Sequence, residues 1–252
     1  MSKEKTGMPV VQEPQEKGLL VIPDPAKLRE IMKNNLEGLS VEFTVVKMPS
    51  AGGLVFEIPS LDGELETPRE IIGVVLAHHA TRAYFKESFG SGVKGAPPSC
   101  SSMDGKHGEG DPGGECSVCP QNAWGSGRDA KGQPTRGKGC AERHRLFILR
   151  GDSLFPIIVS APPSSLKNVS IYATKLAGQM KELSQVLTKL KLLKATNPAG
   201  IEYSKIDFYK AGDLSQEQAD QVKQLIVELL PAMRKTAIID AEFEAEKDAD
   251  TY

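Results

Sequence analysis

The chain has 252 residues, of which 39% are hydrophobic, 25% charged and 6% aromatic. This composition is that of an ordinary soluble globular protein, long enough for one large domain or two small ones. The first residues contain no apolar run after their charged start, so we expect neither a signal peptide nor a membrane anchor. We therefore expect a cytoplasmic protein whose four cysteines stay reduced, which favours metal binding or redox chemistry over disulfides.

The net charge of −2 is unevenly distributed along the chain. Residues 237–252 hold six acidic side chains and one lysine, and the rest of the chain has 30 basic and 27 acidic side chains. An acidic, disordered tail over 237–252 is therefore expected to follow a mildly basic body. Residues 1–20 are polar with little periodic pattern, which predicts a flexible N-terminal arm.

The elements between these ends follow from capping residues and from apolar periodicity. Asp24 before Pro25 predicts the start of a short helix. Alternation and β-branched residues predict strands, and apolar spacing of three and four predicts helices. In chain order we predict strands at 41–48 and 53–59, a long strand from 69, a hairpin over 144–163, a helix over 163–183, a second hairpin over 187–212 and a final helix over 213–236. Because the strands come in pairs rather than alternating with helices, a mainly β, α+β fold with a small barrel is favoured.

Residues 90–139 interrupt this pattern with glycine, proline, serine and charge, and they are too poor in apolar residues to form a core. All four cysteines lie in this segment or at its end: Cys100, Cys116, Cys119 and Cys140. A C-x-x-C turn supplies two zinc ligands, and two distant cysteines complete a tetrahedron. We therefore predict a structural zinc that orders the segment in place of a core. A redox pair would be expected at the start of a helix in a βαβ unit, and this context is absent.

Two histidines, His107 and His144, are alternatives to one of the cysteine ligands, although each also fits a loop or strand residue. His107 and Glu109 followed by the C-x-x-C pair have the letters of a zinc deaminase. However, only six residues separate Glu109 from Cys116, and Glu115 stands where those enzymes have proline. Four thiolates also leave no open position on the metal, so we predict no enzymatic activity.

Basic and aromatic residues surround the cysteine segment. Single-strand binders need this mixture, because cations follow the phosphates while flat rings stack on bases of any identity. The alternative is that the aromatic rings belong to the core and the cations are solvated loop charges. The candidate contacts are Arg82, Tyr84, Phe85, Lys86, Trp124, Arg128, Lys131, Arg136, Lys138, Arg143 and Arg145.

The segments APPSCSSMDGKHGEGDPGGECSVCPQNAWGSG and GKGCAERHRLFILRGDSLFPIIVSAPPSSLKN resemble zinc-containing proteins of phage and integrative-element replication or recombination clusters. These proteins are similar in plan to phage single-stranded DNA-binding proteins. The resemblance covers about residues 70–180. It implies an OB-like core over 21–212, a zinc-ribbon-like insertion at about 90–143 and DNA coverage without chemistry on DNA, in the cytoplasm of a bacterial host.

The leading hypothesis is therefore a single-stranded DNA-binding protein with a structural zinc, whose acidic tail docks replication or recombination proteins. The ending DADTY departs from the aspartates plus aromatic residue that end many such tails. An alternative is a zinc-ribbon adaptor that binds a host polymerase or nuclease without contacting DNA. A zinc-dependent nuclease or deaminase is a third reading, and it requires an open coordination position.

Overall fold

The computed structural model describes residues 22–49, 51–86, 97–129, 132–151, 153–197, 200–239 and 242–243. These residues form three helices: α1 (Pro25–Asn35), α2 (Pro163–Ala177) and α3 (Gln216–Lys235). They also form ten strands: β1 (Ile58–Pro59), β2 (Leu65–Glu66), β3 (Glu70–Tyr84), β4 (Cys100–Ser102), β5 (His107–Gly110), β6 (Gly114–Glu115), β7 (Cys140–Leu149), β8 (Ile157–Ala161), β9 (Val186–Thr196) and β10 (Glu202–Asp213). The predicted arm over 1–20 lies outside the described residues.

Two of the three described helices begin at a side-chain cap, and the predicted cap Asp24 is confirmed. The Asp24 side chain accepts a hydrogen bond from the backbone N–H of Ala26 at 2.9 Å, and a proline takes the first position of α1. At α3, Ser215 accepts from the Gln218 N–H while the Gln218 side chain accepts from the Ser215 N–H, which forms a capping box. Within the described part of the chain, no helix has both the length and the apolar character needed to cross a membrane.

The central element is β3, a strand of 15 residues that spans roughly 50 Å at 3.3 Å per residue. Its first residues pair with β9, which in turn pairs with β10. From Val74 onward β3 pairs with β7, and its last three residues also pair with β4. All of these pairings are antiparallel, so one strand connects the β9–β10 hairpin to the cysteine segment at its far end.

Two apolar cores lie on opposite faces of this sheet. One contains α2 residues and strand residues such as Leu146 and Leu190, and the other contains α3 residues together with Phe147 and Leu149. Leu146 and Phe147 are sequence neighbours in different cores because successive side chains of a strand point to opposite faces. The continuous burial of β7 over its last five residues is the result of this two-sided cover.

The predicted α+β class, mainly β, is confirmed, but the described strands do not form a closed barrel. The sheet runs in the order β10-β9-β3-β4-β5-β6, with β7 and β8 joined at β3, and β10 and β6 are not bonded to each other. A barrel buries one face of its sheet inside, whereas here helices cover both faces. Because helices cover both of its faces, the sheet buries its apolar side chains without closing into a barrel.

Local differences from the sequence predictions are also present. Residues 41–48 and 53–59 contain isolated bridges and the short β1 rather than two full strands, although Val46 and Phe56 are buried in the core beside α2. Their apolar alternation thus reflects burial rather than extended pairing. Within the predicted insertion, β4, β5 and β6 continue the main sheet, because the end of β3 offers a free edge to β4.

The chain after α3 does not start as a free tail. We name residues 236–239 and 242–243 the C-terminal strap. Its side chains Ile238, Glu242 and Phe243 are buried, and two of them form a small third apolar cluster with Ala83. Disorder was predicted from residue 237, and the structure differs because these side chains find partners on β3 and β7. The remaining residues of the predicted tail lie outside the described ones.

Candidate metal and nucleic-acid site

The sheet register brings Cys100 and Cys140 to the same end of β3. Tyr84, the last residue of β3, pairs with Cys100 of β4 on one side and with Cys140 of β7 on the other. Directly paired residues of antiparallel strands point to the same face of a sheet. The two cysteines therefore flank one tyrosine on one face, although the sequence between them is long.

Cys116 and Cys119 reach this face through the turn that follows β6. The Cys116 N–H donates to the carbonyl of Lys106 at 2.7 Å, and the Asn122 N–H donates to the carbonyl of Cys119 at 3.0 Å as a 3₁₀ turn begins. All four cysteines line a single cavity of about 10 Å³. A space of this size holds one small ion and is too small for an organic ligand.

The chemistry of these donors suits zinc. None of the four cysteines forms a disulfide, and three of them are buried. Burial raises the pKa of the Cys140 thiol to about 12, and the other three thiols add to this effect while Arg82 opposes it. A thiol must lose its proton to bind zinc, so a cation in the cavity would supply the charge that the thiolates need. Four soft sulfur donors and a small enclosed space therefore fit a closed, structural site.

The backbone approaches the cluster closely at Gly108 on β5. A Cβ atom at this position would lie 2.9 Å from the Sγ atom of Cys100, so a larger residue would force the thiol to move. No three His, Cys, Asp or Glu side chains of the described residues already have the arrangement of a formed metal site. The thiols share one cavity, and binding a metal would require them to draw together around it.

The two histidine alternatives lie away from this cavity. His107 is exposed, and its Nδ1 atom lies 3.1 Å from an oxygen of Asp104. His144 lies on β7, where its Nε2 atom is 2.9 Å from Nδ1 of His78. Neither imidazole lines the space around the thiols.

Arg82, predicted as a nucleic-acid contact, is engaged within the protein. Its Nε atom donates to the carbonyl of Gly105 at 2.9 Å, Nη1 to Oδ1 of Asn122 at 2.8 Å and Nη2 to the carboxylate of Glu142 at 2.7 Å. The side chain is only 13% exposed. Arg82 thus ties together β3, the turn after β4, the cysteine loop and β7.

The described residues 124–129 and 132–138 pair as a hairpin, which we name the basic hairpin, and they lie between Cys119 and Cys140 in the sequence. The Gly127 N–H donates to Gly137 at 3.1 Å and the Thr135 N–H donates to Gly127 at 3.0 Å, which holds the two arms together. Trp124 is 80% exposed, and Nζ of Lys138 lies 5.3 Å from its ring centroid. Arg128 and Arg136 are exposed on the same hairpin. Lys131 lies outside the described residues.

Two aromatic candidates at the end of β3 point to different faces. Tyr84 lines the cysteine cavity, whereas the Phe85 ring packs edge-on against Phe243 of the strap at 5.8 Å. The neighbouring Lys86 is exposed and pairs with Asp111 at 3.4 Å. Of these three side chains, Lys86 is the most exposed.

Two further candidate contacts are fully buried. Arg143 donates to the carbonyl of Ser160 and lies 4.6 Å from the ring centroid of Phe243. Arg145 binds both carboxylate oxygens of Glu242, at 3.0 and 2.5 Å. The structure places both guanidinium groups beneath the C-terminal strap, where a nucleic acid cannot reach them.

The sequence did not single out a second cleft, of about 520 Å³, between β3, the β4–β5 turn and α3. It is lined by His78, His79 and His107, together with Asp104, Glu109 and Arg234 among others. Burial lowers the pKa of His79 to about 4, so its imidazole is neutral at pH 7. The adjacent histidines on β3 were the available sequence signal, but their gathering depends on the fold.

Comparison of the chain with protein-family models, with curated proteins and with solved structures gives no match. The function is therefore inferred from the cysteine cluster and the basic hairpin.

Proposed function

We propose that the chain is a single-stranded DNA-binding protein that serves replication or recombination of a phage or mobile element. The observation that carries this proposal is the exposed Trp124, which lies beside Lys138 on a hairpin that also presents Arg128 and Arg136. A large aromatic ring exposed to 80% contributes little to a core but offers a stacking surface. The three cations supply charge for the phosphates on either side of a stacked base.

The proposal includes a structural zinc held by Cys100, Cys116, Cys119 and Cys140, and an OB-like relationship of the core with a zinc-bearing insertion. The shared cavity of the four thiols supports the zinc, and the antiparallel sheet is compatible with an open OB-like core. When bound, zinc would supply a fixed cross-link between the loop and the sheet. Docking of replication or recombination proteins by the acidic tail is also part of the proposal.

Fluorescence anisotropy with labelled oligonucleotides tests the function. Single-stranded DNA, duplex DNA and RNA are compared for the full chain and for Trp124→Ala, with Tyr209→Ala on the distant β10 as the exposed-aromatic control. Loss of one stacking contact is expected to weaken single-strand binding by about 5- to 100-fold. Equal affinity for single and double strands, or unchanged affinity of Trp124→Ala, would overturn the proposal.

The salt dependence provides a separate test of the electrostatic part. The logarithm of the affinity should fall linearly with the logarithm of salt concentration, and Lys138→Ala should reduce the slope by about 0.7 if its ammonium neutralises one phosphate. Unchanged slope in Lys138→Ala would remove this lysine from the contact surface.

A second candidate function, a protein adaptor, is favoured by Val118. This aliphatic residue lies between Cys116 and Cys119 and is 79% exposed. Together with Trp124 it provides apolar groups of the kind that anchor protein interfaces. An adaptor would show no affinity for any oligonucleotide, and Val118→Ser would weaken its capture of a polymerase or nuclease.

A further inference from the structure

One amide side chain joins the cysteine cluster to the basic hairpin. The Nδ2 atom of Asn122 donates to the carbonyl of Cys116 at 2.8 Å. Its Oδ1 atom accepts from Nη1 of Arg82 at 2.8 Å and from Nζ of Lys138 at 3.0 Å. The same Lys138 ammonium lies over the Trp124 ring. A continuous chain of contacts thus runs from the loop of the thiol pair to the exposed ring.

The covalent connection reinforces this link. The basic hairpin begins five residues after Cys119 and ends two residues before Cys140, so both of its ends leave from candidate metal ligands. At its base the Ser126 hydroxyl donates to the carbonyls of Gln121 and Ala123 and accepts from the Gly139 N–H. Movement of the two cysteines relative to each other would therefore change how the hairpin is held.

We propose that Asn122 is a positioning residue that couples metal occupancy of the four cysteines to the arrangement of Trp124 and Lys138. This inference rests on the proposed function and adds its regulation: the zinc-loaded protein binds single-stranded DNA tightly, and the metal-free protein binds it weakly. Zinc draws the thiols together and fixes the Cys116 carbonyl. The Asn122 amide is then held between two cations, which places the Lys138 ammonium over the ring.

The charge balance explains why an amide suits this position. Arg82 and Lys138 both approach Oδ1, and this acceptor screens one cation from the other. Without the bond to Cys116, the amide is free to rotate and the two cations repel each other. Lys138 then leaves the Trp124 ring, and both the cation–π contact and a phosphate-binding charge are displaced.

The sole tryptophan of the chain provides a readout that does not depend on DNA. Full-length protein is stripped of metal, and zinc chloride is added back while Trp124 emission and its quenching by acrylamide are measured. Asn122→Ala removes all three contacts, and Asn122→Asp keeps the acceptor but removes the donor to Cys116. Asn35→Ala, at the exposed end of α1, is the matched control. Bound zinc is counted directly in each protein by mass spectrometry.

We expect one zinc in all four proteins and a zinc-dependent Trp124 signal in the wild type and in Asn35→Ala only. Zinc should also raise the affinity of these two proteins for an oligothymidylate by about 30-fold, because the zinc-loaded state gains a hydrogen bond to a charged group and a cation–π contact. Asn122→Ala should bind the oligothymidylate as the metal-free wild type does, and the affinity of Asn122→Asp should not depend on zinc.

The possible failures are distinct. A zinc-dependent Trp124 signal that persists in both Asn122 variants would overturn the coupling, and so would the absence of bound zinc. If the oligothymidylate binds equally with and without zinc, the DNA-binding function stands and its regulation is overturned. If the Trp124 signal depends on zinc and on Asn122 while no oligonucleotide binds, the coupling stands and the DNA-binding function is overturned.

Discussion

Replacing Glu242 by glutamine should destabilise the fold by about 3 kcal/mol, because it removes the charge partner of a buried guanidinium. Arg145 and Glu242 are both fully buried, and they lie 97 residues apart in the sequence. Glutamine keeps the shape of the side chain and one acceptor oxygen. The substitution therefore tests the charge rather than the packing.

The magnitude follows from the contacts that remain. Besides its two bonds to Glu242, Arg145 donates to the carbonyl of Thr236 at 2.8 Å and to that of Ala237 at 2.9 Å. Breaking a buried ion pair by removal of one partner costs about 3–5 kcal/mol. Because the two carbonyls stay in place and still accept from the guanidinium, we expect the lower end of this range.

Urea denaturation followed by far-ultraviolet circular dichroism measures the effect. Glu228→Gln is the control, because Glu228 pairs with Arg29 at the exposed surface between α3 and α1, where ion pairs contribute little. The reasoning would be refuted by equal unfolding midpoints for Glu242→Gln and Glu228→Gln. The double variant Arg145→Met with Glu242→Leu should recover part of the lost stability, since it leaves no unpaired charge.

Three other predictions follow from the site and its surroundings. The pKa values of His79 and His144 are lowered from 6.5 to about 4, mainly by burial. As the pH falls, the unfolded chain therefore takes up protons before the folded protein does. The free energy of unfolding should decrease by about 3 kcal/mol in total between a pH of about 6.5 and a pH of about 4, after allowance for solvent screening. Urea midpoints that do not change over this range would contradict this prediction. If the four cysteines hold zinc as proposed, a chelator should lower the Tm of the wild type by about 10 °C in a thermal melt, and this decrease should be absent from Cys140→Ser. Phe85→Ala should lower the free energy of unfolding, measured by urea denaturation, by about 2 kcal/mol, because the Phe85 ring packs on Phe243. Trp124→Ala should lower it by less than about 0.5 kcal/mol, because the Trp124 ring is exposed. A larger loss for Trp124→Ala than for Phe85→Ala would contradict these ring exposures.

Local signals predicted much of the secondary structure. The cap at Asp24 and the alternation of β9 and β10 depend on residues close in sequence, and both elements form where these patterns indicate. The grouping of the four cysteines could also be predicted, because a glycine-rich segment has no core of its own and the spacing fits one shared site. Such local patterns predict whether a segment is a helix or a strand and which elements are adjacent to it in the sequence.

The exposure of the arginines could not be predicted in the same way. On β7, Arg143 and Arg145 alternate with residues of the opposite face, which is typical of a strand with one solvated side. Their burial depends on the strap, whose acidic residue Glu242 looks like part of a disordered tail in the sequence. An ion pair between such distant residues leaves no local pattern. The predicted contact set was therefore a mixture of hairpin residues at the surface and strand residues in the interior.

The arrangement of helices on both faces of the sheet also could not be predicted from local sequence patterns alone. Hairpins can be read from alternation, but closure of a barrel depends on which faces the helices cover. The apolar run over 146–149 is the signal that a strand is buried on both faces, and it favours helices on two sides over a barrel interior. The order of helices after strands, by itself, is compatible with either arrangement.

At the end of β3 that contains the candidate site, the two faces of the sheet contact different groups. On one face Tyr84 lies between Cys100 and Cys140, and on the other Ala83 packs with Ile238 and Phe243 of the strap. The apolar cluster on the second face is small, so it contributes far less burial than the two main cores. The buried pair of Arg145 and Glu242 stabilises this end of the sheet from one side, and a zinc held by the four thiols, as proposed, would stabilise it from the other. The described residues of the basic hairpin belong to none of the three apolar clusters, and the hairpin is held by hydrogen bonds to the cysteine loop.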